Sequence, residues 1–278
     1  MTSDERDVKD TVSGEPPKID ASVAHSARIY DFILGGKDNF EADRRAAEAA
    51  IARNPNMAVG MRANRAVMRR MTAYLAGEAG IRQFLDIGTG LPTSPNMHEI
   101  AQRTAPESRV VYVDNDPIVL AHARALLTST AEGACTYIDA DARDPETILA
   151  DPKLSATIDL SRPVALMLFG IMHFLPDSDD PQAIVARFLE AIPAGSYLAI
   201  QHPTADFYPP GVGSQSAYRG AGIPFQYRSK DEFARFLDGL ELVDPGITPM
   251  SEWRPELEPG PQPSPSEAGA YAALAKKP

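Results

Sequence analysis

With 278 residues, 44% of them hydrophobic and 23% charged, the chain can bury a sizeable core and has an ordinary globular composition. Its 27 basic and 38 acidic residues leave a formal charge of -11, which disfavours wholesale attraction to nucleic acid or to an anionic membrane. The one cysteine, Cys135, excludes an intrachain disulfide and a thiolate metal cluster, and His25, His98, His122, His173 and His202 show no paired ligand spacing.

No run reaches the roughly 20 apolar residues of a membrane span. The acidic start Met1-Thr2-Ser3-Asp4-Glu5-Arg6-Asp7 lacks the basic and apolar regions of a signal peptide, so a reducing cytoplasm is the expected compartment. Residues 1–24 are charged, poor in large apolar groups and broken by Pro16-Pro17, and they read as a disordered tail. Residues 25–80 then form a helical N-terminal unit: a compact apolar piece at Ala27 to Leu34, a turn-rich loop at Gly35-Gly36, and helices over Glu41 to Arg53 and Met57 to about Gly77. Two readings of this unit stay open. It is a cap packed against a sheet, or a lid over a ligand that contributes Tyr30, Lys37, Asn39, Arg62 or Arg65.

The remainder, 81–278, is organised around one stretch. The apolar run Phe84-Leu85-Asp86-Ile87 stops at Gly88 and Gly90, and Ser94-Pro95 then offers a helix cap followed by a first-turn proline. Strand, glycine turn and helix in that order bring a ligand onto bare main chain near the positive end of a helix dipole. The next strand, Arg109 to Val113, ends on Asp114, where a βαβ nucleoside site places its acceptor for the ribose hydroxyls. Thr93 stands where a dinucleotide fingerprint has its third glycine. The pattern therefore favours a mononucleoside with a zwitterionic tail, such as S-adenosylmethionine, over a dinucleotide.

Further along, Asp116-Pro117, Asp144-Pro145 and Asp180-Pro181 each open a helix. Between them lie strands at Ala134 to Ile138 and Val164 to Phe169, and a fifth follows at Tyr197 to Ile200. The alternation predicts a doubly wound α/β sheet. Asp141, past the third strand, reads either as an acceptor for an adenine amino group or as a solvated loop acid or helix cap. Residues 202–228 break the alternation with prolines, glycines and the aromatics Phe207, Tyr208, Tyr218, Phe225 and Tyr227, as expected of an ordered binding loop. Ser229 to Glu232 is a capping box, and Leu240 to Val243 a short strand. The proline-rich 244–267 leads to Ala270 to Ala275, a last strand or a short terminal helix.

Asp86-Ile87-Gly88-Thr89-Gly90, Tyr112-Val113-Asp114-Asn115-Asp116 and Asp139-Ala140-Asp141-Ala142 together resemble the successive cofactor motifs of class I S-adenosylmethionine-dependent methyltransferases. Ala27 to Phe40, Leu91-Pro92-Thr93, Asp114-Asn115-Asp116-Pro117 and Trp253-Arg254-Pro255 narrow the resemblance to an actinobacterial methyltransferase family of largely unassigned substrate, over about residues 25–278. The resemblance implies a Rossmann-like sheet of seven strands, the last antiparallel. It also implies Gly88 and Gly90, with Asp86, beneath the methionine part, Asp114 on the ribose, Asn115 beside the adenine, and Asp141 with Ala142 at the adenine edge. His173 matches loosely a position on the acceptor side.

Methyl transfer from a sulfonium is an in-line displacement that needs a positioned nucleophile and no metal. If the nucleophile is a phenol or hydroxyl, His173 or His202 could serve as a base, though each reads first as a structural histidine at a strand end. The acidic chain and the aromatic loop point to a small-molecule methyl acceptor lying between loop 202–228 and the lid, with no nucleic-acid or membrane partner. Two rivals remain: an NAD(P)-dependent oxidoreductase, which lacks here both the third glycine and a Tyr-x-x-x-Lys pair, and a non-catalytic S-adenosylmethionine-binding protein. Oligomeric state is not legible.

Overall fold

The computed structural model describes residues 19–126, 128–209 and 215–278. Most of the segment read as a tail, 1–24, lies outside the described residues, but its end is not free. The carbonyls of Asp20 and Val23 accept from the Arg28 guanidinium at 3.3 and 2.9 Å, which ties residues 20–23 to the helix that follows.

Three helices open the chain: α1 (Ser26–Ile33), α2 (Glu41–Arg53) and α3 (Met57–Gly77). At the start of α2 the Asp43 carboxylate accepts the N–H of Phe40 at 2.8 Å, satisfying a donor that the helix cannot. Ala46, Ala47 and Ala50 make the helical stripe that packs on Ile29 and Ile33 of α1. On α3, Val67, Met71 and Leu75 are fully buried against the sheet.

The sheet consists of β1 (Gln83–Ile87), β2 (Arg109–Asp114), β3 (Ala134–Asp139), β4 (Ala165–Leu168), β5 (Tyr197–Pro203), β6 (Glu241–Leu242), β7 (Thr248–Pro249) and β8 (Ala270–Lys276). Its order is β3-β2-β1-β4-β5-β8-β6. The first five strands run parallel and β8 lies antiparallel beside β5, so the chain's end is a strand and not a helix. Eight strands appear where seven were expected. The extra one is the two-residue β7, Thr248–Pro249, fastened to β8 by the Met250 N–H, which donates to the Ala270 carbonyl at 2.9 Å.

Alternation along the strands feeds two cores. Phe84, Val110, Ala165, Ala199 and Leu274 point to the α3 face, while Leu85, Val111, Leu166, Leu198 and Ala273 point to the other. The helices α4 (Met97–Thr104), α5 (Pro117–Leu126), α6 (Pro145–Ala150), α7 (Pro152–Thr157) and α8 (Pro181–Glu190) complete the doubly wound, Rossmann-like arrangement. The Asp-Pro starts behave as read: Asp116, Asp144 and Asp180 accept from the N–H groups of Ile118, Thr147 and Ala183. A fourth, Asp151-Pro152, opens α7. Ser94-Pro95 does not open α4. The helix begins at Met97, and the Glu99 carboxylate reaches back to the N–H of Asn96, which sits at the cap instead.

The segment read as one aromatic loop, 202–228, divides. His202 and Pro203 belong to β5, and Gln215–Gly220 is a short helix, α9. Phe207 packs on Tyr271 at 4.8 Å between ring centres, away from Tyr218 and Phe225, which join α1 and α2 in a third apolar cluster. Lys230–Ala234 (α10) carries the capping box expected at Ser229, and Pro265–Ala268 (α11) precedes the last strand. No helix of the described residues is long and apolar enough to cross a membrane.

Candidate active site

The strand order reverses between β1 and β4, and the crevice outside their carboxyl ends is where an open α/β sheet binds ligands. A cavity of about 360 Å³ occupies it, within the usual range for small-molecule sites. Gly88 and Gly90 form its floor with φ of 74° and 68°, a conformation that L side chains rarely adopt. A Cβ on Gly88 would collide with Ile171 at 2.7 Å, so this glycine lets the β4 loop close over the turn. A Cβ on Gly90 would meet nothing within 4 Å, so the main chain there is open to a ligand. The turn is anchored to β2, because the Gly88 N–H donates to the Val113 carbonyl at 2.8 Å and the Gly90 N–H to Asp114 Oδ2 at 2.7 Å.

Asp114 also accepts the Asp116 N–H on its other oxygen, and two amides leave a carboxylate with lone pairs to spare. Burial raises its pKa, while those two N–H groups pull it back. Asn115 and Asp141 meet at 3.2 Å on the cavity wall beside Ala142, but the Asp141 carboxylate is also paired with Arg143 at 2.9 Å. Burial pushes Asp86 up to about 7, against the lowering charge of Arg65. Arg65 itself donates to the carbonyls of Thr93 and Pro95, so the residue in the place of the third glycine serves as its anchor.

At the opposite end His173 sits on a turn, Met172–Phe174, after β4. Its ring lies 4.0 Å from the Phe174 ring and 4.7 Å from that of Phe225, and its Nδ1 has no hydrogen-bond partner among the described residues. Burial, with the His202 and Arg228 charges, pushes its pKa well below the ordinary range, so the imidazole is neutral. Tyr218, Phe225 and Tyr227 line the same end of the cavity. The N–H of Gln226 donates to the His173 carbonyl at 2.8 Å, which seats this part of the loop on the strand ends.

His202 is not at the cavity wall, which corrects its reading as a base. Its Nδ1 is 2.8 Å from the Pro203 carbonyl and its Nε2 is 2.9 Å from Arg228 Nη1, so neither nitrogen is available. Burial pushes its pKa down to about 3. The buried Arg228 also donates to the Met172 and Leu175 carbonyls and pairs with Asp177 at 2.7 Å. His202 therefore helps to clamp the turn that carries His173.

Of the lid candidates, Tyr30 and Arg65 reach the cavity, and Tyr30 donates to the Met61 carbonyl at 2.9 Å. Lys37, Asn39 and Arg62 do not line it, and Asn39 instead ties its own loop to Asp31 at 2.8 Å. Sequence reading missed His25, Asn64 and Gln201, all on the wall. Gln201 accepts the Gly170 N–H at 3.1 Å, and His25 lies 2.9 Å from Asp116. None of the three has a local spacing that marks it, since each is brought in by a tertiary contact.

A profile of the family described as S-adenosyl methyltransferase matches residues 12–278. No curated protein matches the chain. Among solved structures, a DUF574 family protein from Streptomyces avermitilis MA-4680 is similar at 52% identity and a TM-score of 0.90, over 94% of this chain and 100% of that one. A protein from Thermobifida fusca YX, provisionally named a methyltransferase, is similar at 42% identity and a TM-score of 0.85, over 94% and 98%. TnmH, 18% identical with a TM-score of 0.50 over 82% of this chain and 60% of that one, shares the fold alone.

Proposed function

The chain belongs to the S-adenosyl methyltransferase family, and on that premise we propose that it methylates a small, uncharged and largely apolar acceptor held between the β4 and β5 ends and the N-terminal helices. The single observation that carries this reading is one cavity with two unlike ends, a polar floor at Gly88, Gly90 and Asp114 and an aromatic wall at Tyr218, Phe225 and Tyr227.

The methyl donor of the family is S-adenosylmethionine, which when bound supplies a methyl carbon activated by the neighbouring sulfonium. The residues present fit it. Gly90 is open above its backbone, Asp114 is a buried acceptor with lone pairs to spare, and the Arg65 guanidinium and Asp86 carboxyl group stand ready for the two ends of a zwitterionic tail. Asn115, Asp141 and Ala142 form the wall against which an adenine would lie, and Tyr30 closes the site from the cap side. At the other end the aromatic walls exclude water and orient the acceptor, and orientation of this kind is worth roughly 7 to 11 kcal/mol of barrier. His173 stays neutral and so accepts a hydrogen bond from an acceptor hydroxyl or amine. Its imidazolium is disfavoured by burial and by the Arg228 charge, which makes it an orienting group more than a proton store. The apolar cluster that Tyr218 and Phe225 share with α1 and α2 supports an uncharged acceptor over an ionic one.

The test is a transfer assay with methyl-labelled cofactor against a panel of phenols, aromatic amines and their carboxylated analogues. Labelling of neutral members, with KM raised by Phe225→Ala, is the expected outcome. Preference for the carboxylated members would sink the acceptor class and leave the cofactor site standing.

A further inference from the structure

Resting on that cofactor site, we infer that His25 is the cap's contact with the bound nucleoside, donating to a ribose oxygen or an adenine ring nitrogen opposite Asp114, with Asp116 as the buried carboxylate that orients its ring.

Asp116 is 2% exposed and caps α5 with one oxygen, which accepts the Ile118 N–H at 3.0 Å. Its other oxygen faces two cationic groups from the N-terminal segment, His25 Nδ1 at 2.9 Å and Arg28 Nε at 3.4 Å. These are charge contacts off the hydrogen-bond axis, since neither Arg28 Nε nor this oxygen has an aligned partner. The Ala27 N–H donates to His25 Nδ1 over a long 3.4 Å, against the 2.9 Å approach of Asp116 Oδ2, so in the protonated ring Nδ1–H is directed toward that carboxylate. Arg28 alone would neutralise Asp116. What needs explaining is a second cation on the same carboxylate whose ring also forms the cavity wall.

With Nδ1 committed, Nε2 is the ring's remaining polar atom, and no described residue bonds to it. Protonated on both nitrogens, the imidazole keeps Nδ1–H toward the carboxylate and presents Nε2–H as a donor, and on losing its proton Nε2 becomes an acceptor. The ligand side asks for that donor. Each ribose hydroxyl both donates and accepts, and an ionised Asp114 satisfies only the donating half. A second group that donates completes the recognition, and His25 stands one residue pair away, because the Asp116 N–H is itself bound to Asp114 at 3.0 Å.

The cap and the ribose site are thereby one network. His25 donates its backbone N–H to Asp43 of α2 at 2.8 Å, and Arg28 lies 3.6 Å from the same carboxylate. The charged groups facing the His25 ring are Asp116 and Asp114 from the β2 end, Arg28 from its own helix and Asp43 from α2. Burial lowers its proton affinity, but the adjacent Asp116 carboxylate, with Asp114 behind, more than offsets burial and Arg28, leaving the pKa above its ordinary 6.5. Nucleoside affinity should therefore be full below about pH 6.5 and fall as pH rises through the raised value. By linkage the ligand must raise the His25 pKa in turn.

The test titrates 5′-methylthioadenosine, which has the nucleoside but no titrating amino-acid tail, into the full chain by calorimetry at pH 6, 7, 8 and 9. The wild type is expected to lose about tenfold in affinity across that range, within the span of ordinary coupling. His25→Gln should bind about tenfold more weakly at pH 6 and show no slope. Asp114→Ala should weaken binding at every pH and keep the slope. If Asp114→Ala leaves affinity unchanged, the cofactor-site reading fails. If His25→Gln keeps wild-type affinity and slope, the inference is overturned while the site stands. Should His25→Gln not fold, the wild-type ring reports by NMR: its pKa must rise on saturation with the nucleoside, and an unchanged value overturns the inference equally.

Discussion

The two ends of the cavity solve opposite problems. At the nucleoside end, buried charge is tolerated because each charge has a partner: Asp114 holds two amides, Asp116 faces His25 and Arg28, and Asp43 takes the other side of Arg28. At the acceptor end the two histidines are held neutral: His173 lies among Phe174 and Phe225, and His202 is locked between a carbonyl and Arg228. The difference teaches where each end draws its precision from. The first end is built by main-chain amides within one βαβ unit, the second by aromatic packing between segments far apart in the chain.

The strongest way to break this contrast is Phe225→Ala. Phe225 is 5% exposed and touches His173, Phe174, Tyr218 and Tyr227, so its removal opens a cavity in the cluster that joins α9 to α1 and α2. A loss of about 3 kcal/mol in unfolding free energy is expected, measured by urea denaturation. S-adenosylmethionine affinity should stay within about threefold, a shift under 1 kcal/mol. A large loss of cofactor affinity would show that the two ends are not separable. Next in size is Asp114→Ala, which deletes a charged acceptor from the polar end. Calorimetry should show cofactor binding weakened by about 1.5 to 3 kcal/mol, with the fold retained. Unchanged affinity would remove Asp114 from the ribose.

The same contrast explains what the sequence made legible. The glycine turn, Asp114 and the Asp-Pro helix starts could be read because each is a local device, complete within a few residues. The doubly wound sheet followed from alternation, and the helix bounds Glu41–Arg53 were read as found. His25 could not be read as a site residue, because its meaning depends on Asp116, which reaches it only after the chain has folded. His202 failed for the complementary reason. A histidine at a strand end looks available until Arg228, from the far side of the loop, occupies its Nε2. Ser94-Pro95 carried a sound helix-start signal that lost to Asn96, whose N–H the Glu99 carboxylate accepts.

A smaller effect sharpens the contrast through pH. His173 and His202 are held neutral, so an unfolded chain takes up protons below about pH 6.5 that the folded one does not, and they lower stability as pH falls. Asp86 runs the other way. Burial lifts it to about 7, so between about 4 and 7 the folded state holds a proton that the unfolded state has released. Its contribution therefore opposes the histidines on acidification. Asp86→Asn removes that opposition, and acid destabilisation between pH 7 and pH 5 should steepen by about 1 kcal/mol per pH unit in chemical denaturation series. A slope equal to that of the wild type would mean that Asp86 is ionised in the folded protein.

The smallest expected effect comes from removing residues 1–18, and it tests where the polar end's support begins. That stretch is charged and carries little apolar surface with which to offset ordering, so its loss should change stability by under about 0.5 kcal/mol, or about 2 °C in Tm, with cofactor affinity unchanged. The cut cannot move much further without consequence. The Asp20 and Val23 carbonyls hold the Arg28 guanidinium, and His25 and Arg28 are the cations that face Asp43 and Asp116. A truncation that begins after Arg28 would leave two buried carboxylates without their counter-ions, and breaking a buried pair in this way costs about 3 to 5 kcal/mol. Thermal melts of the two truncations side by side would thus locate the boundary. Equal Tm values for both would show that the charged network contributes nothing to the fold, and would return the N-terminal helices to the role of a cap held by apolar contact alone.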